Sequence, residues 1–166
     1  MILAQNKSLL VYLHKAIEHR NIATVGFYVG GMKEADLKSS ETKQVIIATY
    51  AMAAEALDIK TLTTLFLVTP RTDVTQAVGR ILRVKHERPL VVDFVDSHDV
   101  FQRQWMKRKK FYIQNKYKIL ETDSDAYLSE TWRVKYDPKN PPSRKSKSDT
   151  SSNASLLPKG KCLISL

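Results

Sequence analysis

Apolar positions along the chain change their period several times, and each change marks an element. From Asn6 to Arg20, the residues Leu9, Leu10, Leu13, Ala16 and Ile17 share one side at helical spacing, which predicts an amphipathic helix with Asn6 as N-cap. VGFYVG, Val25 to Gly30, reads as a strand. QVIIATY, Gln44 to Tyr50, and TLFLVT, Thr64 to Thr69, are apolar, β-branched runs typical of strands buried on both faces, and LVVDFVD, Leu90 to Asp96, is a further one. Pro70 ends the second run. Lys33 to Glu41 is polar, a helical turn or a loop, and Thr75 to Arg83 has helical spacing. A short apolar stretch, MILA, opens the chain.

Strands that alternate with helical patterns require crossover connections, so the expected class is α/β, a parallel sheet with helices on both faces. The polar loops of such a sheet gather at the C-terminal ends of the strands, where ligands of open α/β sheets bind.

From Asp99 to Leu120 a longer helical pattern puts Phe101, Trp105, Arg108 and Tyr112 close to one stripe, with Arg103, Lys107, Arg108, Lys109, Lys110, Lys116 and Lys118 supplying positive charge. Its basic side has two readings, a solvated face and a contact face for nucleic acid. Tyr127 to Tyr136 carries a weak strand pattern through Trp132, Val134 and Tyr136. From Asp137 the composition turns to PKNPPSRKSKSDTSSNAS, which predicts a disordered basic tail. The expected organisation is a domain over 1–121, a short extension over 122–136 and the tail over 137–166.

Charge then narrows the partners. The chain has 166 residues, 43% of them hydrophobic, enough for one sizeable core, and its net charge of +10 favours polyanions such as nucleic acid. A lone cysteine, Cys162, excludes an internal disulfide framework and a multi-cysteine zinc site, and His14, His19, His86 and His98 lack metal-ligand spacing, so no metal site is expected. No stretch has the roughly 20 apolar residues of a membrane span, and MILAQNK lacks the layout of a signal peptide. The ending CLISL places Cys162 one position too early for prenylation. The expected setting is a reducing intracellular compartment without membrane contact.

Two strand-end loops carry the candidate chemistry. ATYAMAAEALDI, Ala48 to Ile59, follows one buried run, and RTDVTQAVGRILR, Arg71 to Arg83, follows the next. Within the second, Gly79 sits inside a short helix at a cost of about 1 kcal/mol relative to Ala, and Arg80 and Arg83 project as a pair. In order and spacing the two segments resemble the last two signature motifs of superfamily 2 helicases and translocases, whose C-terminal lobe is a RecA-like domain. The likeness runs over roughly residues 1–120. VVDFVD and the run ending RKKFY are most similar to the branch that includes the poxvirus transcript-release helicase, phage repair helicases and the eukaryotic repair and transcription translocase.

That resemblance implies specific roles. Arg83 is the arginine finger for a triphosphate, Arg80 a second γ-phosphate contact, and Gln76 a residue coupling nucleotide to nucleic acid; Gly79 lets the helix approach a neighbouring lobe. Arginine suits the task because its fork matches phosphate oxygens and its charge is permanent. Thr49 resembles the hydroxyl that contacts a nucleic-acid phosphate, Asp58 the carboxylate that reaches the ribose or the coupling network, and Glu55 a partner for the motif arginines. Asp58 has a helix-cap reading as well. Ala56 stands where many members have Gly. Gln5, Asn6 and Lys7, and Gly30, Gly31 and Lys33, match loops that grip the nucleic-acid backbone, although paired glycines make ordinary turns equally well.

No G-x-x-x-x-G-K-[ST] loop and no acidic D-E-x-[DH] box occurs in the sequence. The chain is therefore expected to be inactive alone and to act as the C-terminal half of a two-lobed motor, with ATP and Mg held mainly by an N-terminal RecA-like lobe. The abrupt apolar opening at Met1 fits that expectation. Single-stranded or duplex nucleic acid is the expected partner, and for a viral protein the expected location is the host cytoplasm, at the virus factory, or the virion. Two rivals stand beside the motor: a noncatalytic basic nucleic-acid-binding module, and an adaptor held to a partner through the Trp105 helix.

Overall fold

The computed structural model describes residues 1–55, 59–81, 87–141 and 161–165. The chain divides into two compact units, Met1–Phe94 and Val95–Leu166.

The first unit is built from β1 (Ile2–Ala4), α1 (Lys7–His19), β2 (Val25–Tyr28), α2 (Glu34–Glu41), β3 (Val45–Thr49), α3 (Tyr50–Glu55), β4 (Thr64–Leu67), α4 (Thr75–Ile81) and β5 (Leu90–Val95), the last strand ending at the unit boundary. The strands run in the order β2-β3-β1-β4-β5 and all pair in parallel. On β3, Ile46, Ile47 and Ala48 are buried in succession, and successive strand residues point to opposite faces, so both faces of the sheet are covered. This is the α/β arrangement expected from the alternating pattern, with the RecA-like character that the resemblance implies.

The shortest strand lies at the centre. β1 pairs with β3 on one side and with β4 on the other, in the registers Leu3↔Ala48 and Leu3↔Leu67. Just before it, the Met1 nitrogen donates to the carbonyl of Thr64 at 2.7 Å.

Helix α1 forms where the period demands it. Asn6 caps it by accepting from the Ser8 N–H at 2.8 Å, and the helix closes with Asn21 at φ 49, where the Ile22 N–H returns to the Ile17 carbonyl. Its apolar side seats Leu10 against Ala4 and Ile47, with Leu9, Leu13, Ile17, Val25 and Phe27 around them. His14 stacks on Phe27 at 4.2 Å between ring centroids.

The polar segment before β3 is the helix α2, which packs closely on β2. A Cβ built on Gly26 would lie 2.8 Å from the Ser40 Cβ and 2.9 Å from its Cα, closer than real carbon atoms approach. Gly26→Ala is therefore expected to push α2 off the strand and to destabilise the chain by about 1–3 kcal/mol, measured by urea unfolding.

The second unit contains α5 (Asp99–Gln114), β6 (Ile119–Asp123), a 3₁₀ turn at Tyr127–Ser129, β7 (Arg133–Tyr136) and β8 (Lys161–Ser165). Both β7 and β8 pair antiparallel with β6. The helix expected over Asp99–Leu120 is shorter than its pattern. Lys116 takes φ 60, and the Tyr117 N–H bonds to the Tyr112 carbonyl at 3.0 Å while the two rings meet edge to face, a Schellman closure with its usual apolar contact. Ile119 and Leu120 thus begin β6. The strand at Lys161–Ser165 falls within the segment read as a tail.

Candidate functional site

All five strands of the first unit point the same way, so the residues that follow them emerge at a single edge. Ala4 pairs with Thr49 and Tyr28 with Ala48, which brings the starts of three loops side by side. These carry Gln5, Asn6 and Lys7 after β1, Gly30, Gly31 and Lys33 after β2, and Thr49 at the end of β3.

Gln5, Asn6 and Lys7 are exposed, and so are Gly30, Gly31 and Lys33. The Gln5 N–H donates to Thr69 Oγ1 at 2.8 Å, which ties the loop after β1 to the end of β4. Asn6 Oδ1 is occupied by its capping bond, so its amide NH₂ is the group left to meet a ligand. Gly31 has φ +90 with open space where a side chain would stand, a backbone that L residues rarely adopt, and a Cβ on Gly30 would stand 3.9 Å from the sulfur of Met52. Thr49 is half-buried; its Oγ1 accepts from the Met52 N–H at 3.5 Å, and the hydroxyl proton has no acceptor among the described residues. Lys7 and Lys33 have no ion-pair partner among the described residues. Exposed amides, a hydroxyl donor and two such cations on adjacent loops suit a phosphate backbone.

The segment read as one loop after β3 contains α3, which begins at Tyr50, directly after Thr49, and packs against β1 and α4. Glu55 ends α3, and the position of its side chain, like all of Asp58, lies outside the described residues. On the other side of β1, the chain leaves β4 through Arg71 and enters α4. Asp73 accepts from the Thr75 N–H at 2.9 Å, and these bonds to Thr75 hold its carboxyl below the usual range. Val74 and Val78 are buried on the inner side of α4, while Gln76 and Gly79 face outward. Arg80 follows on the same helix with its side chain outside the described residues, and Arg83 lies wholly outside them. A Cβ on Gly79 would meet nothing within 4 Å, so nothing described in this chain requires a glycine there.

The edge is thus divided. Backbone-gripping candidates come from β2, β3 and β1, the nucleotide candidates Gln76, Gly79 and Arg80 come from α4, and α3 lies between them. The sequence did not disclose the contact that joins the two sides. The Arg71 guanidinium stands 5.6 Å from the centroid of the Tyr50 ring, and Tyr50 is buried. The only sequence signal is an aromatic residue directly after one strand and an arginine just past the next. Such a pairing is tertiary and has no period.

No family model matches the chain. It is 45% identical over 116 residues to an Acanthamoeba polyphaga mimivirus protein named "Putative ATP-dependent RNA helicase", an alignment covering 68% of this chain and 22% of the relative. It is 49% identical over 37 residues to an uncharacterized protein of Invertebrate iridescent virus 3, covering 22% of this chain and 36% of that protein. The chain therefore spans about a fifth of the mimivirus relative and a third of the iridescent virus one.

Proposed function

We propose that this chain is the C-terminal RecA-like lobe of an ATP-dependent superfamily 2 helicase or translocase that serves viral transcription or genome processing. The observation that carries this reading is the 45% identity over 116 residues with the mimivirus protein named as an RNA helicase. The divided sheet edge supports it, because a motor needs strand-gripping and nucleotide-sensing groups on one rigid lobe. In wording the chain is similar to the African swine fever virus helicase of the same branch.

In this reading Mg-ATP sits mainly on an N-terminal lobe and supplies the phosphoryl group that is hydrolysed. Arg83 and Arg80 approach the γ-phosphate from this lobe, Gln76 reports nucleotide state to the strand side, and Glu55 and Asp58 link α3 to the motif arginines and the ribose. Thr49, Gln5–Lys7, Gly30, Gly31 and Lys33 hold the backbone of the nucleic acid. Because α3 touches both β1 and α4, closure of the lobes on ATP shifts α4 and α3 together and moves the grip on the strand. The domain for this work is residues 1–121, with the extension and the basic tail beyond it. The host cytoplasm, at the virus factory, or the virion is the setting that follows.

Gly79 gives this reading a separate test. Gly79→Ala is expected to stabilise the isolated chain by about 0.5–1 kcal/mol, since helix propensity improves and nothing clashes. In the two-lobed protein the same change is expected to lower ATP turnover, because the added methyl group meets the other lobe. Joined to a lobe with a phosphate-binding loop and an acidic box, the wild-type chain should give turnover stimulated by nucleic acid, and alone it should give none. Turnover indifferent to the presence of this chain would leave the noncatalytic binding module in place of the motor.

A further inference from the structure

In the second unit, the cations on α5 are arranged differently from those on the strands. Trp105, Arg108 and Tyr112 are buried and define the inward side of the helix. Arg103, Lys107 and Lys110 are all exposed, and their spacing of four and three residues aligns them on a single outer stripe. Asp99 is the only acid on the helix and sits in its first turn, where it complements the helix dipole.

Three acids of this unit are engaged by other cations. Arg133 pairs with Asp123 at 2.7 Å, Lys135 with Glu121 at 3.1 Å and Lys118 with Asp137 at 3.5 Å. Arg103, Lys107 and Lys110 have no ion-pair partner among the described residues. Like charges three and four apart weaken a helix, so this stripe works against the stability of the element that carries it.

We infer that the outer stripe of α5, Arg103, Lys107 and Lys110, is a sequence-independent contact surface for the phosphate backbone of a nucleic acid. Its dimensions fit: three cations over seven residues span roughly 10 Å of helix, long enough to meet successive phosphates of one strand. An anionic membrane surface fits less well. A helix lying in a bilayer interface offers its aromatic side to lipid, and here Trp105 and Tyr112 are buried inside the unit. This surface goes beyond the strand-end loops and does not depend on the motor reading.

The test uses the full 166-residue chain and a short fluorescent oligothymidylate, titrated over a range of salt concentrations. Substituting Arg103→Gln, Lys107→Gln and Lys110→Gln together is expected to weaken binding about 10- to 100-fold at low salt and to reduce the slope of log K against log salt by about 2. A variant with the same loss of net charge, Lys15→Gln, Lys38→Gln and Lys43→Gln, is expected to stay within about twofold of wild type. The α5 variant should melt at or above the wild-type temperature, since repulsion on the helix is relieved.

Equal weakening by the two triple variants, or wild-type affinity in the α5 variant, would overturn the assignment. So would loss of binding to phosphatidylserine vesicles with oligonucleotide binding intact. None of these results bears on Arg83, so failure here is distinguishable from failure of the motor reading.

Discussion

Arg83→Ala in the two-lobed protein is expected to lower ATP turnover by about 10³- to 10⁵-fold, the range that arginine fingers supply to nucleotide hydrolysis. The loss should fall on kcat, with affinities for ATP and single-stranded nucleic acid nearly unchanged, because in the proposed role the guanidinium would act on charge that develops at the γ-phosphate during transfer. Arg83→Lys should restore little: an ammonium retains the charge but lacks the planar fork. Steady-state kinetics beside an equilibrium strand-binding assay separates these effects. Full turnover in Arg83→Ala would remove the proposed role.

Leu10→Ala is expected to cost about 2–5 kcal/mol, because Leu10 is 1% exposed and fills the contact between α1, Ala4 and Ile47. For a unit of this size that loss lowers Tm by at least about 10 °C, which calorimetry reads directly. The consequence extends to the site. α1 begins at Lys7, straight after Gln5 and Asn6, so a loosened helix also loosens the loop that meets the nucleic acid. Strand affinity should fall along with stability, whereas Arg83→Ala is expected to leave stability nearly unchanged.

Long periodic segments were legible from sequence and short ones were not. The helix from Lys7 and the buried runs that became β3, β4 and β5 follow from spacing and β-branched content, because one pattern persists across each. The opening MILA holds the central strand of the sheet, yet three residues are too few to display a period. α3 was hidden in a segment read as a loop, because YAMAAE has small apolar residues without a polar face to contrast with them. Ile119 and Leu120 were read as the end of the helix, and the left-handed Lys116 ends the helix before them, so they begin a strand instead.

The glycines teach the same lesson in reverse. Gly79 stood out by its helical position, yet within the described chain its surroundings are open. Gly26 looked like an ordinary strand residue, and it is the one that α2 packs against. Steric need is a property of the neighbour across space. The site divides similarly: motif order singled out the candidate residues, and the fold adds that α3 packs against β1, β3 and α4, with Arg71 over Tyr50.

The most direct measurement is a crystal structure of the two-lobed protein with ADP and aluminium fluoride, which imitates the phosphoryl group in transfer. The account predicts the Arg83 guanidinium within hydrogen-bonding reach of the fluoride, about 2.7–3.2 Å, with Gly79 facing the other lobe. Arg83 buried within its own lobe, or turned away from the sheet edge where that lobe docks, would contradict it.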